Sequence, residues 1–174
     1  IERTAIEDCH VKGLNSFIIN EKPKIRLFIA ENYCPLFYPF DEKNPIIPIH
    51  PHKNDDHFLI LEGSVSNHIY KIDGRGTKFN QYKYNRLSDT QKEIEKVGES
   101  KLIYENWLLH NEGESLILKA NQLHTVSLKN YSYYNRCSWL VIETFEDRDF
   151  KQLAYHKKLI QDDIKGWLKL NPTD

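Results

Sequence analysis

Short apolar runs broken by turn residues dominate the middle of the chain, and most are too short for helices. Lys24–Ala30 (KIRLFIA) follows Pro23 and reads as a strand. Pro35, Pro39, Pro45, Pro48 and Pro51 punctuate the next stretch, so pairing there must be short or at an edge. His57–Leu61 and Asn67–Ile72 read as a hairpin around Gly63-Ser64, with a second turn at Asp73-Gly74. Lys101–Leu109, Glu114–Lys119, His124–Leu128 and Arg136–Phe145 supply further strands. About eight short strands separated by turn signals point to a sandwich or barrel.

Two segments carry a helical pattern instead. Ser88-Asp89-Thr90-Gln91 is a capping box ahead of Lys92–Val97. Only Leu87, Ile94 and Val97 are apolar there, which predicts a helical surface excursion within residues 64–112, more decoration than lid. From Asp147 to Leu170, apolar residues at 150, 153, 154, 160, 164, 167 and 168 form a helix stripe that would pack on the sheet or on a partner chain. The expected layout is one domain over 1–174, with a barrel over about 24–145 and a C-terminal helix over about 147–170.

Composition narrows the class. A length of 174 residues suits one domain with a sizeable core. A net charge of −1 with 28% charged residues argues against nucleic-acid and membrane partners. No apolar run approaches the roughly 20 residues of a membrane helix, and no basic-then-apolar leader opens the chain. Cys9, Cys34 and Cys137 are odd in number and widely spaced, which fits reduced thiols and a cytoplasmic setting. The chain begins at Ile1 and contains no Met, which leaves an upstream segment open.

The chemistry concentrates in residues 49–63 (IHPHKNDDHFLILEG). On a strand, residues two apart share a face, so His50 and His52 can aim two imidazoles at one point. Asp56 follows four residues later. A second segment, Gly113 to His124, adds a strand and a turn ending in another histidine. Imidazoles with a carboxylate suit Fe(II), Zn, Ni or Mn.

These two segments resemble the paired motifs of the cupin superfamily. His50, His52, Asp56 and Gly63 match the shorter spacing of the first motif, with Asp in place of Glu and Asn44 in place of the leading glycine. Gly113 and His124 match the second. There Lys119-Ala120-Asn121 replaces Pro-x-Gly and Leu128 replaces the final Asn. Asn121 is a reasonable substitute for glycine, because Asn tolerates a left-handed backbone. The resemblance covers about residues 44–145 and implies an all-β, double-stranded β-helix (jelly-roll) barrel. It also implies His50, His52, Asp56 and His124 as metal ligands. Asp is one methylene shorter than Glu, so His57 is a rival third ligand, which would give a histidine-only site as in the thiol dioxygenase cupins. The run through Leu61-Glu62-Gly63-Ser64 is most similar to acireductone dioxygenase.

The implied function is a metal-dependent dioxygenase acting on a small molecule, with Fe(II) the leading metal and Ni, Zn or Mn as alternatives. Competing readings are a metal cupin isomerase or lyase that uses no oxygen, and a non-catalytic ligand-binding cupin. The resemblance also implies a homodimer. Tyr133 (in the cluster Tyr131, Tyr133, Tyr134), Arg136 and Glu143 stand as catalytic candidates, and Arg26 and Arg136 as anion binders. Phe58 and Ile60 should share the inward face of Asp56. His10, His68, His110 and His156 have no partner spacing and read as solvated.

Overall fold

A computed structural model describes residues 5–7, 9–86, 92–129, 135–143 and 153–157. Among these residues ten strands run in the order β1 (Ala5–Ile6), β2 (Leu14–Glu21), β3 (Lys24–Ala30), β4 (Asp56–Glu62), β5 (Ser64–Arg86), β6 (Lys92–Asn111), β7 (Ser115–Leu118), β8 (Leu123–Lys129), β9 (Cys137–Glu143) and β10 (Leu153–His156). One sheet has the order β1-β2-β3-β9-β4-β7, and the other has β10-β5-β6 with β8 on β5. Every pairing is antiparallel.

The inner faces of the two sheets share one apolar core. Leu14, Phe58, Ile60, Leu118, Trp139 and Val141 come from the first sheet, and Val65, Ile69 and Leu128 from the second. This is an all-β jelly roll of the cupin type. A satellite core of Ile49, Tyr70, Phe79, Leu102 and Tyr155 ties the long β5–β6 hairpin to the segment that precedes β4. Among the described residues, no helix is long and apolar enough to cross a membrane.

Several expectations change. β4 and β5 are not a hairpin: β4 pairs β7 and β9, while β5 pairs β6, β8 and β10. The chain crosses from sheet to sheet at Gly63, whose φ is 77°. A Cβ there would lie 2.6 Å from the carbonyl oxygen of Arg136, so the corner requires glycine. The Asp73-Gly74 turn does not end a strand. Ile72 and Thr77 both face Leu102, so the intervening residues form an outward bulge within β5.

The helical insertion is also corrected. Residues 92–97 belong to β6, with Lys92 opposite Arg86 and Lys96 opposite Tyr82. Long-range pairing outweighs a local capping signal backed by so few apolar positions. Residues 87–91 lie outside the described residues. Of the expected C-terminal helix, 153–156 form β10, paired with β5 from Asn80 to Lys83. Apart from Lys157, the rest of that segment lies outside the described residues.

Candidate metal centre

The two histidine-bearing segments meet across a single antiparallel bridge. The prolines keep residues 48–52 out of a regular strand, as their spacing predicted. The backbone N–H of His50 donates to the carbonyl of His124 at 3.0 Å, and that of His124 donates back at 3.1 Å. Opposed residues in such a pair project to the same face. His50 and His124 therefore lie side by side, with His52 one step along. Ring centroids are 5.1 Å apart for His50–His52, 5.0 Å for His50–His124 and 4.8 Å for His52–His124.

The second motif is fastened to the first at its turn. Asn121 donates its N–H to the carbonyl of His52 at 3.0 Å and adopts φ 62°, the left-handed backbone expected of it. Asp55 accepts the N–H of Ala120 and the ammonium of Lys119, both at 2.8 Å. These two donors, Lys119 first, hold its carboxyl below the usual range. Lys119, a departure from the family motif, thus takes part in closing the site.

Each imidazole has an acceptor at Nδ1. For His50 it is the carbonyl of Pro48 at 2.8 Å. For His124 it is Oδ1 of Asn67 at 3.1 Å, on the inner face of β5. For His52 the carboxylate of Asp56 lies against that nitrogen. An acceptor at Nδ1 assigns the proton there and leaves the lone pair on Nε2. Nε2 of His52 and Nε2 of His124 are 2.8 Å apart. Two lone pairs at that distance repel unless a cation lies between or beside them. Burial, and then the neighbouring imidazoles, hold His50 and His124 well below the ordinary histidine pKa, which keeps both rings in the neutral form that binds a metal. The donor set fits a divalent metal, and the ligand atoms of His50, His52 and His124 lie within 4.8 Å of one another.

Asp56 and His57 depart from the expected ligand roles. Asp56 is buried on the inner face of β4 with Phe58 and Ile60, as expected, but its carboxylate is turned onto Nδ1 of His52. It stands outside the three-nitrogen cluster. His57 points to the exposed face of β4, on the side away from the cluster.

The triad opens into a cavity of about 370 Å³. Its opposite wall is the inner face of β3 and β9, where the register aligns Lys24 with Glu143, Arg26 with Val141 and Phe28 with Trp139. Glu143 accepts from Lys24 at 2.7 Å and lies 3.4 Å from Nε of Arg26. Phe28 and Trp139 stack with centroids 5.2 Å apart. Arg136 is not on this wall: its side chain is exposed at the surface, 3.4 Å from Glu62. Tyr133, like its neighbours Tyr131 and Tyr134, lies outside the described residues.

Sequence reasoning missed His10. It lines the cavity in a left-handed conformation (φ 71°), with its ring centroid 6.3 Å from that of His50. Burial, then His52 and Arg26, push its pKa down to about 3. No spacing in the sequence marks it. His68 and His156 are not solvated either. His68 is buried on the outer face of β5, bonded to Tyr104 and Ser127 and stacked under Phe40. His156 contacts the carbonyl of Pro45. The three cysteines are buried and in no disulfide.

No protein-family model and no curated protein matches the chain. Among solved structures, the hydroxypropylphosphonic acid epoxidase from S. wedmorenis is similar over 82% of this chain and 56% of its own, with a TM-score of 0.42 and 10% identity. A hydroquinone 1,2-dioxygenase in complex with Cd2+ and 4-hydroxybenzonitrile is similar over 74% and 61%, with a TM-score of 0.40 and 11% identity. The chain thus spans less than two thirds of either protein. Both likenesses are distant, and the cupin-type fold stands on the two-sheet topology described above.

Proposed function

We propose that this chain is a metal-dependent cupin oxygenase. Its centre would be iron(II) held by His50, His52 and His124, acting on a small molecule in the adjoining cavity. The observation that carries this reading is the convergence of three Nε2 lone pairs, each fixed by an acceptor at Nδ1, at the edge of a cavity large enough for a ligand. Three protein ligands leave coordination positions open toward that cavity, as in the two-histidine, one-carboxylate iron oxygenases, here with a third imidazole in place of the carboxylate. Bound iron(II) would supply Lewis acidity and redox capacity toward dioxygen.

The chain's own residues prepare the site. Asp56, the Pro48 carbonyl and Asn67 hold the three rings in orientation, so little rotation is needed for them to bind a metal. Phe58, Val126, Trp139 and Val141 line the cavity and limit the water that competes with substrate. Glu143 holds Lys24 and Arg26 in the wall.

The test is metal loading followed by a probe of open positions. Protein given iron(II) anaerobically should hold close to one metal per chain. Added nitric oxide should give the S = 3/2 paramagnetic signal of an iron(II) site with an exchangeable position. His124→Ala should lose both metal and signal. A wild-type stoichiometry well under one, or a loaded protein silent to nitric oxide, overturns the reading.

A further inference from the structure

Arg26 is an unusual residue for a cavity wall. It is 6% exposed and sits on the inward face of β3, yet its contacts are long: Nη1 to Ser16 Oγ at 3.4 Å and Nε to Glu143 Oε1 at 3.4 Å. A guanidinium carries five N–H donors in a planar fork. With so few short acceptors, part of that fork is left to meet an acceptor carried by a ligand in the cavity it lines. Glu143 cannot satisfy it fully, because its other oxygen is held by Lys24 at 2.7 Å. The charge balance points the same way. Lys24, Arg26 and Lys53 line the cavity against two carboxylates, Asp56 and Glu143, and Asp56 is committed to His52. A divalent metal at the triad would add more positive charge.

The neighbouring rows define the rest of the ligand. One step along β3 and β9 from Arg26 and Val141 lies the Phe28–Trp139 stack, and Phe58 stands opposite Val141 on β4. A ligand whose charged end meets Arg26 therefore has an apolar surface beside it, with the imidazoles of the facing sheet across the cavity. At about 370 Å³ the cavity is at the small end of ligand pockets.

We propose that the substrate of this site is a small organic carboxylate with an apolar, ring-sized body, its carboxylate held by the fork of Arg26 and its body against Phe28 and Trp139. One planar fork matches one carboxylate. The inference rests on the proposed function only in placing substrate in the cavity beside the triad.

Calorimetric titration of the metal-free protein and of the protein loaded with redox-inert Zn2+ tests it, with benzoate and its neutral isostere benzamide as probes. Benzoate should bind at least about tenfold more tightly than benzamide, since a buried charge pair is strongly coupled. Arg26→Met should abolish that preference and leave the affinity for benzamide and the zinc stoichiometry unchanged. Arg26→Lys, which keeps the charge without the fork, should retain part of the preference and covers the case in which the Met variant fails to fold. Equal affinities in wild type, no binding of either probe, or a full preference surviving in Arg26→Met or Arg26→Lys overturns the inference. Metal stoichiometry is read separately, so loss of the metal reading shows as low zinc content while the probe preference of the metal-free protein stands.

Discussion

At Asp56 a single contact decides how the second imidazole is presented. With the carboxylate on Nδ1, His52 directs Nε2 into the cluster. Replacing it by Asn keeps the shape and removes the charge, and an amide can turn its NH2 toward Nδ1 and favour the wrong tautomer. Asp56→Asn should weaken metal affinity by roughly 10- to 100-fold while saturating stoichiometry is kept. Competition against a calibrated chelator reads this directly, and unchanged affinity would remove the orienting role. His68 permits a separate prediction at this scale. Burial lowers its pKa from 6.5 to about 4, so the unfolded chain takes up a proton that the folded one resists. Stability is then fully present above pH 6.5, falls as pH drops toward 4, and levels off below, with a contribution of roughly 3 kcal/mol from this residue. Urea unfolding of metal-free protein across that window should show the fall, and His68→Gln should show a shallower one.

At the scale of elements, the corner between β4 and β5 governs whether the two sheets meet. Gly63 combines a positive φ with a carbonyl where a Cβ would be. Gly63→Ala should cost roughly 2 kcal/mol or more from strain and displacement of residue 136, whereas Gly74→Ala, with open space around it, should be nearly neutral in the same denaturant titration. The sequence marked Gly63 as a turn but not as a change of sheet, because alternation reports which residues share a face and not which strand lies alongside. The same limit explains the rest. The apolar run after Pro23 placed β3 from Lys24 to Ala30, and parity with Asp56 put Phe58 and Ile60 inward. The spacing of His50, His52 and His124 anticipated their convergence. By contrast, β2 (LNSFIINE) mixes polar and apolar residues at both parities and gave no clean alternation. His10 comes to the cavity through a left-handed turn that no periodicity encodes. Arg26 shares its parity with Lys24, whereas Ile25, Leu27 and Ile29 make the other face the apolar one, so alternation did not mark Arg26 as inward.

Across the whole molecule, the candidate centre joins parts that lie far apart in sequence. His124 belongs to β8 on the second sheet, while Asp56, which orients His52, belongs to β4 on the first. The bridge at residue 50 and the satellite core around Ile49 connect them. A metal at this junction closes a long-range contact between the two sheets, and a ligand that binds only the folded state stabilises it by mass action. At a free metal concentration 100-fold above the dissociation constant the gain is about 2.7 kcal/mol. For a chain of this size that corresponds to a rise in Tm of roughly 5–10 °C. Scanning calorimetry with and without Zn2+ should show this rise in wild type and its loss in His124→Ala. In Asp56→Asn the rise should return when zinc is increased in proportion to the weakened affinity. A rise of equal size in His124→Ala would mean that zinc binds elsewhere, and the junction would then owe its stability to packing and the His50–His124 backbone bridge alone.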